Sequence, residues 1–116
     1  METKGTGKLL RVYVGADDRH HGQPLYEAIV LRLRETGLAG ATVLRGIEGF
    51  GADSRVLHTS RLLRLSQDLP VLIEVADTDK KIEGAVQVIE EMLEEVGCGS
   101  LMTLEKVEII RYKPGE

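Results

Sequence analysis

A chain of 116 residues with 42% hydrophobic and 29% charged side chains has the size and balance of one globular domain, with no room for separate catalytic and cofactor domains. Its single cysteine, Cys98, excludes an internal disulfide framework, a four-cysteine zinc site and an iron–sulfur cluster, and fits a reducing cytoplasm. Fifteen basic against nineteen acidic residues give a formal charge of −4, with no basic block and too few aromatics (Phe50, Tyr13, Tyr26, Tyr112) for a stacking platform, so nucleic acid is not an expected partner.

The polar, glycine-rich residues 1–7 are expected to be a flexible start to a single domain over 1–116. Lys8 to Val14 alternates as a strand, with Leu10, Val12 and Val14 on one face. Gly15 to Gln23 is a polar loop. Pro24 suits the first turn of a helix carrying Tyr26, Ile29, Val30 and Leu33 at helical spacing, with Gly37 as its stop. Ala41 to Phe50 is rich in strand formers, and Gly46 and Gly49 suggest a bend near its end. Residues 51–68 show no clear period, although 61–66 would suit an extended run, and the segment is long for a connection between strands. Such loops are usually functional.

Leu69 to Ala76 is the most apolar stretch and reads as a buried strand, with Pro70 near its start. Asp77, Thr78 or Asp79 caps a second helix, whose stripe of Ile82, Ala85, Val86, Ile89, Met92, Leu93 and Val96 runs to Gly97. Leu101 to Tyr112 is a last long strand. No segment reads as a signal peptide and no apolar run approaches the ~20 residues that a bilayer needs, so the protein is expected to be cytoplasmic, neither exported nor membrane-spanning.

The order strand, helix, strand, strand, helix, strand predicts an α+β ferredoxin-like sandwich, a four-stranded antiparallel sheet with both helices on one face. Leu9, Tyr13, Leu44, Leu72, Ile110 and Tyr112 are then expected on the face that the helices leave open. An apolar face of several hundred Å² is unusual on a monomer and predicts burial between subunits.

The run Gly40-Ala41-Thr42-Val43-Leu44-Arg45-Gly46-Ile47-Glu48-Gly49-Phe50-Gly51 resembles the PII signalling proteins, whose second strand carries G-x-T-V and ends in G-F-G before a long loop. Leu69-Pro70 is similar to the opening of their third strand, Gly97-Cys98-Gly99-Ser100 to their G-D-G-K turn, and Arg111 to an arginine of their last strand. With H-G-x-P-L-Y ahead of the first helix, the likeness is to the PII-like branch of prokaryotic proteins more than to true PII. It implies a homotrimer that binds an adenine nucleotide effector in clefts between subunits and regulates a partner, often a membrane transporter or channel, through its long loop. The nucleotide-binding residues that it implies are Thr42, Gly49, Phe50, Gly51, Gly97, Gly99, Ser100 and Arg111. The partner-loop residues are Arg55, His58, Arg61 and Arg64, beside the apolar Val56, Leu57, Leu62 and Leu63.

Ala52, Asp53 and Ser100 stand where true PII proteins carry arginine, glutamine and lysine, so AMP or ADP is expected at least as readily as ATP. The loop also lacks the tyrosine that true PII proteins modify. Taken without the resemblance, the Gly49/Gly51 and Gly97/Gly99 pairs suit either plain turns or backbone N–H groups aimed at a phosphate. Arg45 reads as a strand arginine or a cleft residue, Asp17-Asp18 as a turn and Cys98 as a turn residue. No nucleophile–base or carboxylate pair stands at a persuasive spacing, so a sensor is expected rather than an enzyme, with no resident cofactor or metal. The alternative is a divalent-metal-binding tolerance protein of the same trimeric fold, using His20, His21 and His58. Against it, adjacent histidines on a strand point oppositely.

Overall fold

The computed structural model describes residues 3–51 and 69–115. The chain runs β1 (Thr3–Gly15), β2 (Arg19–His20), β3 (Gln23–Pro24), α1 (Leu25–Glu35), β4 (Thr42–Arg45), β5 (Pro70–Asp77), α2 (Asp79–Val96) and β6 (Leu101–Tyr112). The four long strands form one antiparallel sheet in the order β4-β5-β1-β6. This is the expected ferredoxin-like sandwich.

Alternation decides which side chains meet the helices, because successive residues on a strand point to opposite faces. Leu10, Val12 and Val14 of β1 lie opposite Val75, Ile73 and Val71 of β5, and all six are buried. Leu25, Ile29 and Leu33 of α1 and Ile82, Ala85 and Ile89 of α2 close over them. Each fully buried aliphatic side chain of this kind contributes about 1.5–3 kcal/mol. The stripe of α1 is centred on Leu25, Ala28, Ile29 and Leu33, with Tyr26 and Val30 only half-buried at its margin. Pro24 precedes the helix, because it pairs with Arg19 in the short β2–β3 ladder. In α2, the Thr78 hydroxyl accepts the Lys81 N–H at the start, and Gly97 ends the helix at φ +73 with its N–H bonded to the Leu93 carbonyl.

Four expectations are corrected. Residues 3–7 form the first half of β1, paired with the far end of β6 from Val107 to Tyr112. The long partner strand supplies backbone hydrogen bonds that polar, glycine-rich composition does not advertise. Gly7 is required there, since a Cβ would meet the Asp77 carbonyl oxygen and lie 2.8 Å from Ile109 Cδ1. The second long strand is only Thr42–Arg45, because Gly46 leaves the ladder after donating its N–H to the Pro70 carbonyl at 2.8 Å. β5, expected as a buried strand, is fully buried only at its alternate, odd-numbered positions. Finally, Leu104 lies opposite Leu10 and Met102 opposite Val12, so even-numbered β6 residues share the helix side. Beyond Ile109 the register with β1 shifts, so that Tyr112 pairs with Thr3, and the Tyr112 hydroxyl donates to the Ala39 carbonyl at 2.9 Å in the connection after α1, which draws Tyr112 away from the open face.

Asp77 is the buried acidic residue of the described core, 2% exposed. Its Oδ2 accepts the Ala39 N–H at 2.9 Å and its Oδ1 accepts the Thr78 N–H at 2.7 Å. One carboxylate thus ties the connection after α1 to the start of α2. Asp77→Ala is expected to destabilise the fold by about 1–3 kcal/mol, because both N–H groups lose a charged acceptor. Chemical denaturation checks this, and an unchanged midpoint would remove the tether.

Candidate functional site

The expected nucleotide residues are spread over the sheet in a definite pattern. Gly49, Phe50 and Gly51 follow β4 at one edge, beside the start of β5, where Gly49 takes φ +148. Phe50 is exposed together with Ile47. Gly97, Gly99 and Ser100 join α2 to β6 at the other edge of the same sheet end, since Leu101 pairs with Tyr13 near the end of β1. Three interstrand spacings separate the two turns, about 14 Å. Thr42 lies on the open face opposite Glu74. Arg111 lies near the far end of β6, ten residues beyond Leu101, or about 34 Å along an extended strand. A single chain therefore does not bring these eight residues together.

Beneath the Gly97–Ser100 turn is an open cleft of about 470 Å³, lined by Glu90, Glu94, Cys98, Ser100 and Met102 among others. The turn follows the C-terminal end of α2, whose partial charge is negative. Phosphate held there would need cationic side chains from elsewhere. Arg45 points to the helix side, where its guanidinium donates to the Tyr26 hydroxyl at 3.5 Å. Asp18 is a turn residue, accepting the Gly15 N–H at 2.8 Å. The loop residues Arg55, His58, Arg61 and Arg64, the apolar Val56, Leu57, Leu62 and Leu63, and the extended run suggested for 61–66 lie outside the described residues.

The open face carries Leu9, Arg11 and Tyr13 from β1, Leu72 and Glu74 from β5, Leu44 from β4, and Leu101 and Glu105 from β6. At its centre Arg11 bonds Glu74 through Nε at 3.0 Å and Glu105 through Nη1 at 2.8 Å. These contacts, that to Glu74 foremost, raise the guanidinium above its usual pKa. The three charged groups satisfy one another across β5, β1 and β6, leaving the surrounding Leu9, Tyr13, Leu44 and Leu72 as an apolar surface.

His20 and His21, named from the sequence with His58, meet Glu95 in a cluster between the β2–β3 hairpin and α2 that the sequence did not indicate. The hairpin turns on His21 at φ +51 and Gly22 at φ +84, the two positive φ values of a type I′ turn. That left-handed residue breaks strand alternation, so His20 and His21 point the same way, with rings stacked 4.3 Å apart. Both reach Glu95, His20 Nε2 lying 3.0 Å from Oε1 and His21 Nε2 lying 2.9 Å from Oε2. Hydrogen bonds from His21 and then His20 hold the Glu95 carboxyl below its ordinary pKa. A histidine–glycine pair at the tip of a hairpin was the available signal for the turn. Nothing local pointed to Glu95.

A family model described as DUF190, Uncharacterized ACR, COG1993, matches residues 7–109. A UPF0166 protein of Aquifex aeolicus is 37% identical over 105 residues, covering 89% of this chain and 92% of the relative. Among solved structures, a PII-like signalling protein of Thermus thermophilus, TTHA0516, superposes with a TM-score of 0.65 at 14% identity, covering 91% of each chain. The CPII protein of Thiomonas intermedia K12, bound to ADP and bicarbonate, does so with a TM-score of 0.64 at 12% identity, covering 90% of this chain and 88% of that one. The fold is therefore the PII-like one that the sequence resemblance implies. No helix of the described residues is long and apolar enough to cross a membrane.

Proposed function

Because the chain belongs to the DUF190 family, we propose that it is a cytoplasmic, non-enzymatic PII-like signalling protein that binds an adenine nucleotide between the copies of a homotrimer. The observation that carries this reading is the cleft beneath Gly97–Ser100, in a fold shared with a protein whose structure holds ADP. The placement of the glycine turns at opposite edges of one sheet end fits a site completed between copies, where the edge of one chain meets that of the next. A second copy would bring Arg111 to the phosphates, supplying the positive charge that the end of α2 lacks. ADP or AMP is the proposed effector, because Ser100 offers a hydroxyl where a lysine would hold a third phosphate.

Nucleotide binding would shift the protein between two states of different affinity for a partner. Residues 51–68, with Arg55, His58, Arg61 and Arg64, are the proposed contact, and a membrane transporter or channel is the proposed partner. Gly99→Asp places a carboxylate beside the phosphates and Arg111→Ala removes a charge-assisted hydrogen bond worth about 1.5–3 kcal/mol. Each is expected to weaken ADP binding by about 10- to 100-fold in calorimetry. Unchanged affinity in both variants would refute the site.

A further inference from the structure

We propose that His20, His21 and Glu95 form a binding site for a transition-metal dication of the zinc, cobalt or nickel type, separate from the nucleotide residues and independent of the function proposed above. One ring nitrogen of each histidine and one carboxylate oxygen of Glu95 lie within 4.8 Å of one another. On a tetrahedral zinc with bonds of about 2.0–2.1 Å, neighbouring ligand atoms are roughly 3.3 Å apart. The two histidine–glutamate separations, 3.0 Å to Oε1 and 2.9 Å to Oε2, are of about that length, one to each carboxylate oxygen, so a small turn of the carboxylate would offer one oxygen to an ion between the rings. The stacked rings, tilted 23° to each other, need a rotation about their outer side-chain bonds to aim both nitrogens at one ion.

The backbone prepares this convergence. With His21 in the left-handed region of a two-residue turn, two consecutive side chains face one point on α2, an arrangement that a regular strand forbids. The electrostatics favour a cation as well. The site is at the C-terminal end of α2, whose last turn carries no basic residue, and Glu91 stands one helical turn before Glu95. Two imidazoles with one carboxylate select a borderline transition metal over calcium or magnesium, which prefer oxygen ligands. In the metal-free protein each ring N–H donates to Glu95. On metal binding each neutral ring changes tautomer, its proton passing through solvent from Nε2 to Nδ1 so that Nε2 can coordinate, and the carboxylate exchanges two hydrogen bonds for one metal bond. Three protein ligands leave a fourth position for water or an exogenous ligand.

The test uses the full chain, zinc chloride in calorimetry and cobalt chloride in visible absorption. One zinc per chain is expected, with cobalt giving the intense d–d bands of a four-coordinate site. His21→Asn retains a residue that tolerates the left-handed turn, and with His20→Ala and Glu95→Gln it tests each ligand at a partly exposed position, so the fold is retained. Each variant is expected to weaken zinc binding at least about ten-fold, while Cys98→Ser leaves it unchanged. Failure of the unaltered protein to bind zinc below about 1 mM, affinity unchanged from the unaltered protein in the three variants, or loss of binding in Cys98→Ser alone would overturn the proposal.

Discussion

Leu72→Asp is expected to convert the proposed assembly of three chains into single chains of 12.8 kDa that remain folded. Leu72 lies between Tyr13 and Leu44 on the open face, on the opposite side of β5 from Val71, Ile73 and Val75, which enter the core. Burying a carboxylate in an apolar interface costs several kcal/mol unless a cation and further hydrogen bonds satisfy it. Arg11 is already shared between Glu74 and Glu105. A closed ring repeats this cost in every copy, and the acidic side chains repel one another across it. Light scattering reads the mass and circular dichroism reads the fold. A trimer that survives the substitution would exclude this face as the interface.

One residue along the same strand, the expected consequence is of another kind. Ile73 is fully buried, opposite Val12 on β1 and Val43 on β4. Ile73→Ala removes a branched side chain from a close-packed layer that relaxes only in part, at a cost of about 2–5 kcal/mol. Thermal unfolding should fall by roughly 10–20 °C for a domain of this size. Leu72→Asp separates chains and leaves the core, whereas Ile73→Ala weakens the core within each chain, because strand parity sends neighbours to opposite faces. A fall of only a degree or two in Ile73→Ala would contradict the assignment of β5.

Elements with their own local signals were legible in the sequence. α2 carries a capping threonine, a long stripe and a glycine stop, and the structure places it at Asp79–Val96. β5 announces itself by apolar density. The first half of β1 was hidden because its support comes from β6, at the other end of the chain, and because Gly5 and Gly7 resemble a loose terminus. The β2–β3 hairpin was hidden because its strands are two residues each and polar, so no alternation marks them.

The same division governs the candidate sites. The glycine turns were visible through their motif, and the structure locates them at the ends of the elements expected. That they stand at two edges of a sheet depends on strand order, a long-range property. Assigning Tyr112 to the open face failed for a related reason, since its place depends on a register shift against β1 and a contact with Ala39, both long-range properties. His20 and His21 were visible as residue types, but their convergence required a left-handed His21 and a glutamate 74 residues further on.

The measurement closest to the central claim is a calorimetric titration of the assembled, unaltered protein with ADP. Saturable micromolar binding is expected with one nucleotide per chain, AMP comparable and ATP no tighter, since no lysine stands at Ser100 to hold a third phosphate. No adenine nucleotide binding below about 1 mM would contradict it, and the glycine turns would then be structural corners of the sheet.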